Sequence, residues 1–404
     1  MNITIFSMPK LANNPCRIAC QIILLMSLPS GANAAGITNQ QAVANAITSC
    51  NSLNSGDGVY FGPTNSICNV QATAANIQSL TPDQIFGMGY QSTRVNGGKV
   101  GQPYDYFRTQ NSRMTGGGAG DDNFSRLSFW AKTDNDFGLT NTTLNSTGYR
   151  FDNHHFVFGA DYRLQNNWVA GGSFTYQYNN ATFDSGRGAT TSNNYSGSIY
   201  TTYSITDALH VEATASYGGF NYQTSRNIQL SGFGSSVATG SPIGYQYAFS
   251  WGGGYDFTYQ ALTVAPYIRG DYMYQGINSY TETGSIAAMS FDSQVIESMV
   301  STVGVQSSYT FSMPWGVLIP QLRGEWHHQY MDSQRQMQGS FTSDPTGQVI
   351  TMTGNTPSSD YYTFGAEVSS VLPGGISAFL AYETLQGYTN VTSNKLMLGG
   401  RLEF

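Results

Sequence analysis

Five histidines, His154, His155, His210, His327 and His328, are the side chains best suited to proton transfer in this 404-residue chain. To act in catalysis, each needs a nucleophile or a carboxylate within hydrogen-bond reach. His210 and Glu212 stand two apart, so in a strand they face the same side and read as ordinary lining. His327 and Asp332 come nearest to a His–Asp proton relay. Gly56-Asp57-Gly58 has the outline of a Gly-Asp-Ser nucleophile motif but lacks its serine. A lipid-cleaving Ser–His–Asn centre would carry a Tyr-x-His-x-Ser-Asn-Gly stretch, and none is present. Gly116-Gly117-Gly118-Ala119-Gly120 is not followed by Gly-Lys-Ser/Thr, so it reads as flexible linker and not as a phosphate loop. The expectation is no catalytic, cofactor-binding or metal-ligating residue, and no enzyme activity.

Thiol chemistry points to the compartment. Lys10 and Arg17, the apolar run from Ile18 to Leu28 and Ala32-Asn33-Ala34 have the order of a secretory signal peptide over residues 1–34. Cleavage is expected between Ala34 and Ala35. The apolar run is too short for a membrane-spanning helix, which takes about 20 residues. Cys16 and Cys20 leave with the signal. Cys50 and Cys68 remain in an oxidising compartment, where a disulfide is the expected pairing. Two cysteines with every histidine far downstream make a poor zinc set.

Composition narrows the class further. Only 10% of residues are charged, against about 25% in an ordinary soluble domain, while aromatics reach 13% and glycines number 46. Mean hydropathy is −0.26, so the chain is no bundle of apolar helices. The net charge of −7, with no basic run, disfavours a nucleic-acid partner, and none is expected.

The elements that must position these residues are strands. From Arg126 onward, segments alternate in period two at 126–134, 151–164, 168–180, 194–205, 208–224, 244–259, 261–276, 293–312, 316–330, 360–372, 375–387 and 393–404. Short turns such as Gln165-Asn166-Asn167 and Pro373-Gly374-Gly375 alternate with long polar connections at 135–150, 181–193, 225–243, 277–292 and 331–359. In one segment Leu396, Leu398, Leu402 and Phe404 oppose Lys395, Arg401 and Glu403; in another Leu262, Val264 and Ile268 oppose Arg269 and Asp271. Short turns on one side, long loops on the other and few charges opposite an apolar face describe a twelve-stranded, all-β, antiparallel up-and-down transmembrane β-barrel. Asp161, Arg163, Glu212, Arg269, Asp271, Arg323, Glu325, Glu383, Arg401 and Glu403 are then expected to face the lumen as ion pairs. On the lipid face each charge would cost about 2–4 kcal/mol at mid-membrane.

Ahead of the barrel, residues 35–80 read as a small disulfide-closed segment, and 81–123 as a helix with a Gly-rich linker. Thr81-Pro82-Asp83-Gln84 predicts a helix start, running from Pro82 to about Arg94. The barrel takes 124–404.

Several stretches, in order, resemble the C-terminal translocator domain of bacterial autotransporters. They are Asp161-Tyr162-Arg163 with Asn167-Trp168-Val169-Ala170-Gly171-Gly172, Gly254-Tyr255-Asp256-Phe257 with Leu262-Thr263-Val264-Ala265-Pro266-Tyr267, and Leu398-Gly399-Gly400-Arg401-Leu402-Glu403-Phe404. The resemblance implies a barrel threaded by a helix, in the outer membrane of a Gram-negative bacterium among its lipids. It also implies insertion by the β-barrel assembly machinery, which reads a C-terminal aromatic signal here matched by Gly399, Leu402 and Phe404. The chain departs from the family in two ways: Trp326-His327-His328-Gln329 stands where Trp-x-His-Glu is frequent, and residues 35–123 are very short for a passenger. Anchoring or translocation of that segment is the implied function. A surface adhesin and a pore without a functional passenger remain the alternatives, and no extracellular ligand is readable.

Deleting Phe404 removes little buried area but removes the signal, so it should cut the yield of heat-modifiable barrel in outer membranes. Leu398→Ala, in mid-strand, should lower stability with less effect on yield. Equal assembly of both variants and wild type would contradict the signal reading.

Overall fold

The computed structural model describes residues 38–52, 66–82, 86 and 126–403. The signal segment with its Ala34–Ala35 junction, the Gly-rich linker and Phe404 lie outside the described residues. Among the described residues, twelve long strands form the wall. They are β1 (Leu127–Thr140), β2 (Tyr149–Gln165), β3 (Trp168–Phe183), β4 (Gly188–Ser204), β5 (Leu209–Leu230) and β6 (Ile243–Tyr255), followed by β7 (Leu262–Ile277), β8 (Gln294–Tyr309), β9 (Gly316–Gln329), β10 (Asp360–Leu372), β11 (Ile376–Gln386) and β12 (Val391–Glu403). Each pairs antiparallel with the next. β12 then returns to β1, with Phe129 opposite Leu402, and the barrel is closed.

Alternation sets the faces. Phe156, Phe158, Ile268, Leu322, Leu398 and Leu402 are exposed on the outer wall, whereas Asp161, Arg269, Asp271, Glu325, Glu383 and Arg401 are buried inside. A soluble protein would place these two sets the other way round. The order fits lipid outside and a polar lumen. At the short-turn end, Gly374 and Gly375 take φ of +85° and +74°, a hairpin backbone that side chains resist.

Cross-strand glycines make room for lumenal rings. Trp130 lies over Gly159, Tyr200 over Gly171 and Phe379 over Gly399, where a Cβ would run into each ring. The Trp130 indole N–H donates to the Tyr200 hydroxyl at 2.7 Å, fastening β1 to β4 over β2 and β3 along the inner wall.

Several strands outrun the alternating segments. β1 extends to Thr140, β3 to Phe183 and β5 to Leu230, so the connection between β3 and β4 shrinks to 184–187. In β5 the extension keeps period two but inverts it, Ile228 and Leu230 turning inward to the apolar cluster while Asn227 and Gln229 face out. The connections 278–293 and 330–359 supply a second, four-stranded sheet from Tyr280–Thr281, Met289–Phe291, Gln336–Phe341 and Ile350–Thr353.

Ahead of the barrel, α1 (Asn39–Ser52) and α2 (Ala74–Leu80) flank a short 3-10 turn at Ile67–Asn69. Thr81 closes α2, its N–H and hydroxyl both donating to the Ile77 carbonyl, and Thr73 caps its start, accepting from the Asn76 N–H. Of the helix expected from Pro82 to about Arg94, Phe86 is helical, and apart from Pro82 the rest lies outside the described residues.

Gly399→Val should destabilise the barrel by about 1–3 kcal/mol, because its side chain meets the Phe379 ring in a packed wall. Gly197→Ala meets no neighbour and should be near neutral. Urea unfolding of the refolded barrel, followed by heat-modifiable mobility, separates the two.

Candidate functional site

The long-loop end of the barrel is covered. Val43, Ala46, Ile47 and Cys50 recur at helical spacing on α1 and are all buried. With Ile67, Cys68, Val70, Leu80 and Phe86, they join one apolar cluster with Phe220, Tyr222, Ile228 and Leu230 of β5. Met289, Phe291, Met337, Phe341, Ile350 and Met352 of the four-stranded sheet belong to the same cluster. Cys50 and Cys68 are bridged, their Cα atoms 4.9 Å apart, tying α1 to the 3-10 turn.

Polar contacts fix this cap in place. Asn39, 1% exposed, donates to the carbonyls of Thr353 at 2.9 Å and Asn145 at 3.0 Å, and accepts from the Thr353 N–H at 2.8 Å. It thus continues the backbone ladder of Ile350–Thr353. Ser343 accepts from the Ile67 N–H at 3.1 Å, while its carbonyl accepts from the Ser66 hydroxyl. Arg226, at the upper end of β5, is the most heavily engaged. Its guanidinium pairs with Glu282 at 2.6 Å and donates to the carbonyls of Leu80 at 3.1 Å and Ala287 at 2.7 Å. One side chain therefore joins the wall, the 278–293 connection and the cap. Arg187 adds a bond to the Thr81 carbonyl at 2.7 Å.

Below the cap, charges line the lumen. Arg401 reaches over β1 to hold Asp161 with two bonds of 2.8 and 3.1 Å, and also contacts Ser128 and Glu403. Arg269 pairs with Asp271 at 2.9 Å and approaches Glu325 at 3.7 Å; Arg323 pairs with Glu383 at 2.8 Å. Lys132, Lys395 and His155 surround Asp134. Arg163 and Glu212 are half-buried and His210 is buried on the inner face. Gly399 faces inward under Phe379, whereas Leu402 points out.

The candidate His–Asp relay is not assembled. His327 bonds the hydroxyls of Thr302 and Thr363 and lies 3.4 Å from Glu325. Asp332 instead accepts from the Ser359 hydroxyl at 2.6 Å.

Sequence reasoning passed over the cap as a packed unit. Its signal was the spacing of Val43, Ala46, Ile47 and Cys50, which is legible as a helix face once sought. Nothing local to Arg226, Glu282 or Asn39 marks them, because their partners lie far off in sequence.

Arg226→Leu strips the cation from buried Glu282 and should loosen the cap by about 3–5 kcal/mol, with the barrel intact. Hydrogen exchange should speed up in α2 and the 278–293 connection but not in β1 or β12. The double variant with Glu282→Leu should recover part of the protection.

The model of the autotransporter beta-domain family matches residues 129–383. Among solved structures, the translocator domain of the autotransporter NalP from Neisseria meningitidis aligns at 17% identity with a TM-score of 0.52, covering 75% of this chain and 97% of its own. The beta domain of the Bordetella autotransporter BrkA aligns at 16% identity and TM-score 0.49, covering 69% of this chain and 100% of its own. The first likeness is one of fold. No curated protein matches the chain.

Proposed function

The chain belongs to the autotransporter beta-domain family, and on that premise we propose that this barrel passes its own N-terminal segment outward and keeps it as a fixed cap. Its place is the outer membrane of a Gram-negative bacterium. In such barrels the short turns face the periplasm and the long loops face outward.

One observation carries the reading. The described cap, residues 38–52 and 66–82 with Phe86, is seated among the long connections, whereas β1 begins at Leu127 beside the short turns. The two thus stand at opposite ends of the barrel. Lipid surrounds the outside, where unpaired backbone groups are costly, so the lumen is the route by which the segment is exported. The inward charges then serve as the polar wall of that route, and the signal peptide supplies export to the periplasm. Recognition by the β-barrel assembly machinery falls to the closing row with Leu402 and Phe404.

Retention follows from the same contacts. Between Ala35 and Asn123 there is no Asn-Asn pair of the kind that self-cleaving pore segments break. The cap is also held by hydrogen bonds to two connections, 141–148 and 330–359, and to Arg226 of β5. A seated cap favours a closed, surface-anchored product over an open pore.

An epitope inserted between Ser52 and Ser66 should be reached by antibody on intact cells and migrate with the full-length barrel. Detection only after permeabilisation would contradict the outward reading. A separate barrel fragment beginning between Arg94 and Asn123, in membranes free of proteases, would contradict retention.

A further inference from the structure

Under the cap, a cavity of about 560 Å3 opens between Phe86 and the lumenal wall, within the range of about 300–1,000 Å3 typical of small-molecule sites. Its upper walls are apolar and aromatic: Phe86 from the cap, Tyr149, Ile296, Tyr361, Leu385 and Tyr388 from the barrel. Three cations line the cavity: Arg269 is paired with Asp271 and Lys395 with Asp134, and the third is Arg335. The Arg335 guanidinium packs over the Phe86 ring, 5.4 Å from its centroid, and donates to Gln294 at 3.3 Å. Its Nε is buried without a partner, and Arg335 forms no ion pair among the described residues. The carboxylates facing the same space are already held: Glu325 by Arg269 and the Tyr267 hydroxyl, Glu383 by Arg323, Asp136 by the Ser393 hydroxyl.

The cavity has a side opening. β8 pairs with β9 only from Val300, opposite Gln329, with one further bond from the Tyr330 N–H to the Met299 carbonyl. Above that point Gln294–Ser298 has no strand on its β9 side. Val295, Glu297 and Tyr330, all exposed on the outer surface, line the cavity there. Glu297 is level with Tyr274 of β7 and accepts from the Tyr272 hydroxyl at 2.8 Å. Tyr274 stacks on Tyr247 in the same outer belt. Outward tyrosines near strand ends mark the membrane–water interface.

We propose that this cavity binds a small amphiphile with an anionic head and an apolar body, admitted sideways at the outer-leaflet interface, with Arg335 receiving the head. An apolar, aromatic upper wall with, among the described residues, one lining cation outside any ion pair selects for that chemistry: a neutral molecule leaves the guanidinium unsatisfied, and a small anion leaves the aromatic walls wet.

The test uses the full-length protein in phosphatidylcholine nanodiscs, titrated with a dansyl-labelled undecanoate and corrected against empty discs. Saturable fluorescence enhancement is expected, with affinity falling about tenfold or more in Arg335→Gln, the loss due to a charged hydrogen bond. Arg335→Lys should retain part of it, and acetate should not compete. The matching dansyl alcohol should bind no better to wild type than to Arg335→Gln. Leu385→Trp, which fills the chamber from the wall, should abolish saturable binding while the barrel stays heat-modifiable. A signal no greater than that of empty discs, or equal affinity in wild type and Arg335→Gln, would overturn the proposal. Either result leaves the surface epitope experiment untouched.

Discussion

In lipid, every backbone N–H and C=O must find its partner within the protein, and closure of β12 onto β1 meets that requirement. Where all twelve strands are paired on both sides the wall has no edge, and among the described residues β8 stands without β9 only above Met299, at Gln294–Ser298. Once the ring is closed, side chains have only two directions to point, and the chemistry of the molecule divides accordingly. Leucines and phenylalanines go to the lipid, and ion pairs go to the lumen. The Arg401–Asp161 pair shows how the two levels connect, because it bridges β12 and β2 across β1, the strand that completes the ring.

Much of the barrel was legible because the wall repeats one rule. Strand number, hand of alternation and the side of the short turns all follow from period two and from turn residues such as Gly374-Gly375. Legibility declined where strands rise out of the membrane. Beyond Thr224 the inner face of β5 meets the apolar cap and its outer face is polar, so the alternation runs in the opposite sense to that of the lipid-facing wall and does not read as its continuation. The second sheet was invisible for a different reason. Its strands are short, and its apolar residues, Met289, Phe291, Phe341 and Ile350, are spread over connections that look polar as a whole.

At the cap, composition says little. Residues 35–80 are rich in Asn, Ser and Gln, and they read as a small disulfide-closed segment with nothing to mark α1 and α2. A few apolar residues suffice, because the barrel's own connections supply the other half of the core. Thr81 carries two local signals at once: it is the last hydrogen-bonded residue of Ala74–Leu80, and with Pro82 it forms a helix start, with Phe86 helical beyond it.

The bond between Asn39 and Thr353 joins residues separated by 314 positions. Such a contact cannot exist until nearly the whole chain has been made and its downstream loops have taken shape, so it belongs to the slowest class of folding events. A segment whose native surroundings are created last remains extended and pliable during transit. When those surroundings do appear, burial of Ile47, Ile67 and Leu80 against them makes withdrawal unfavourable. On the proposed outward passage, folding at the far side would thus act as a ratchet and give the movement its direction.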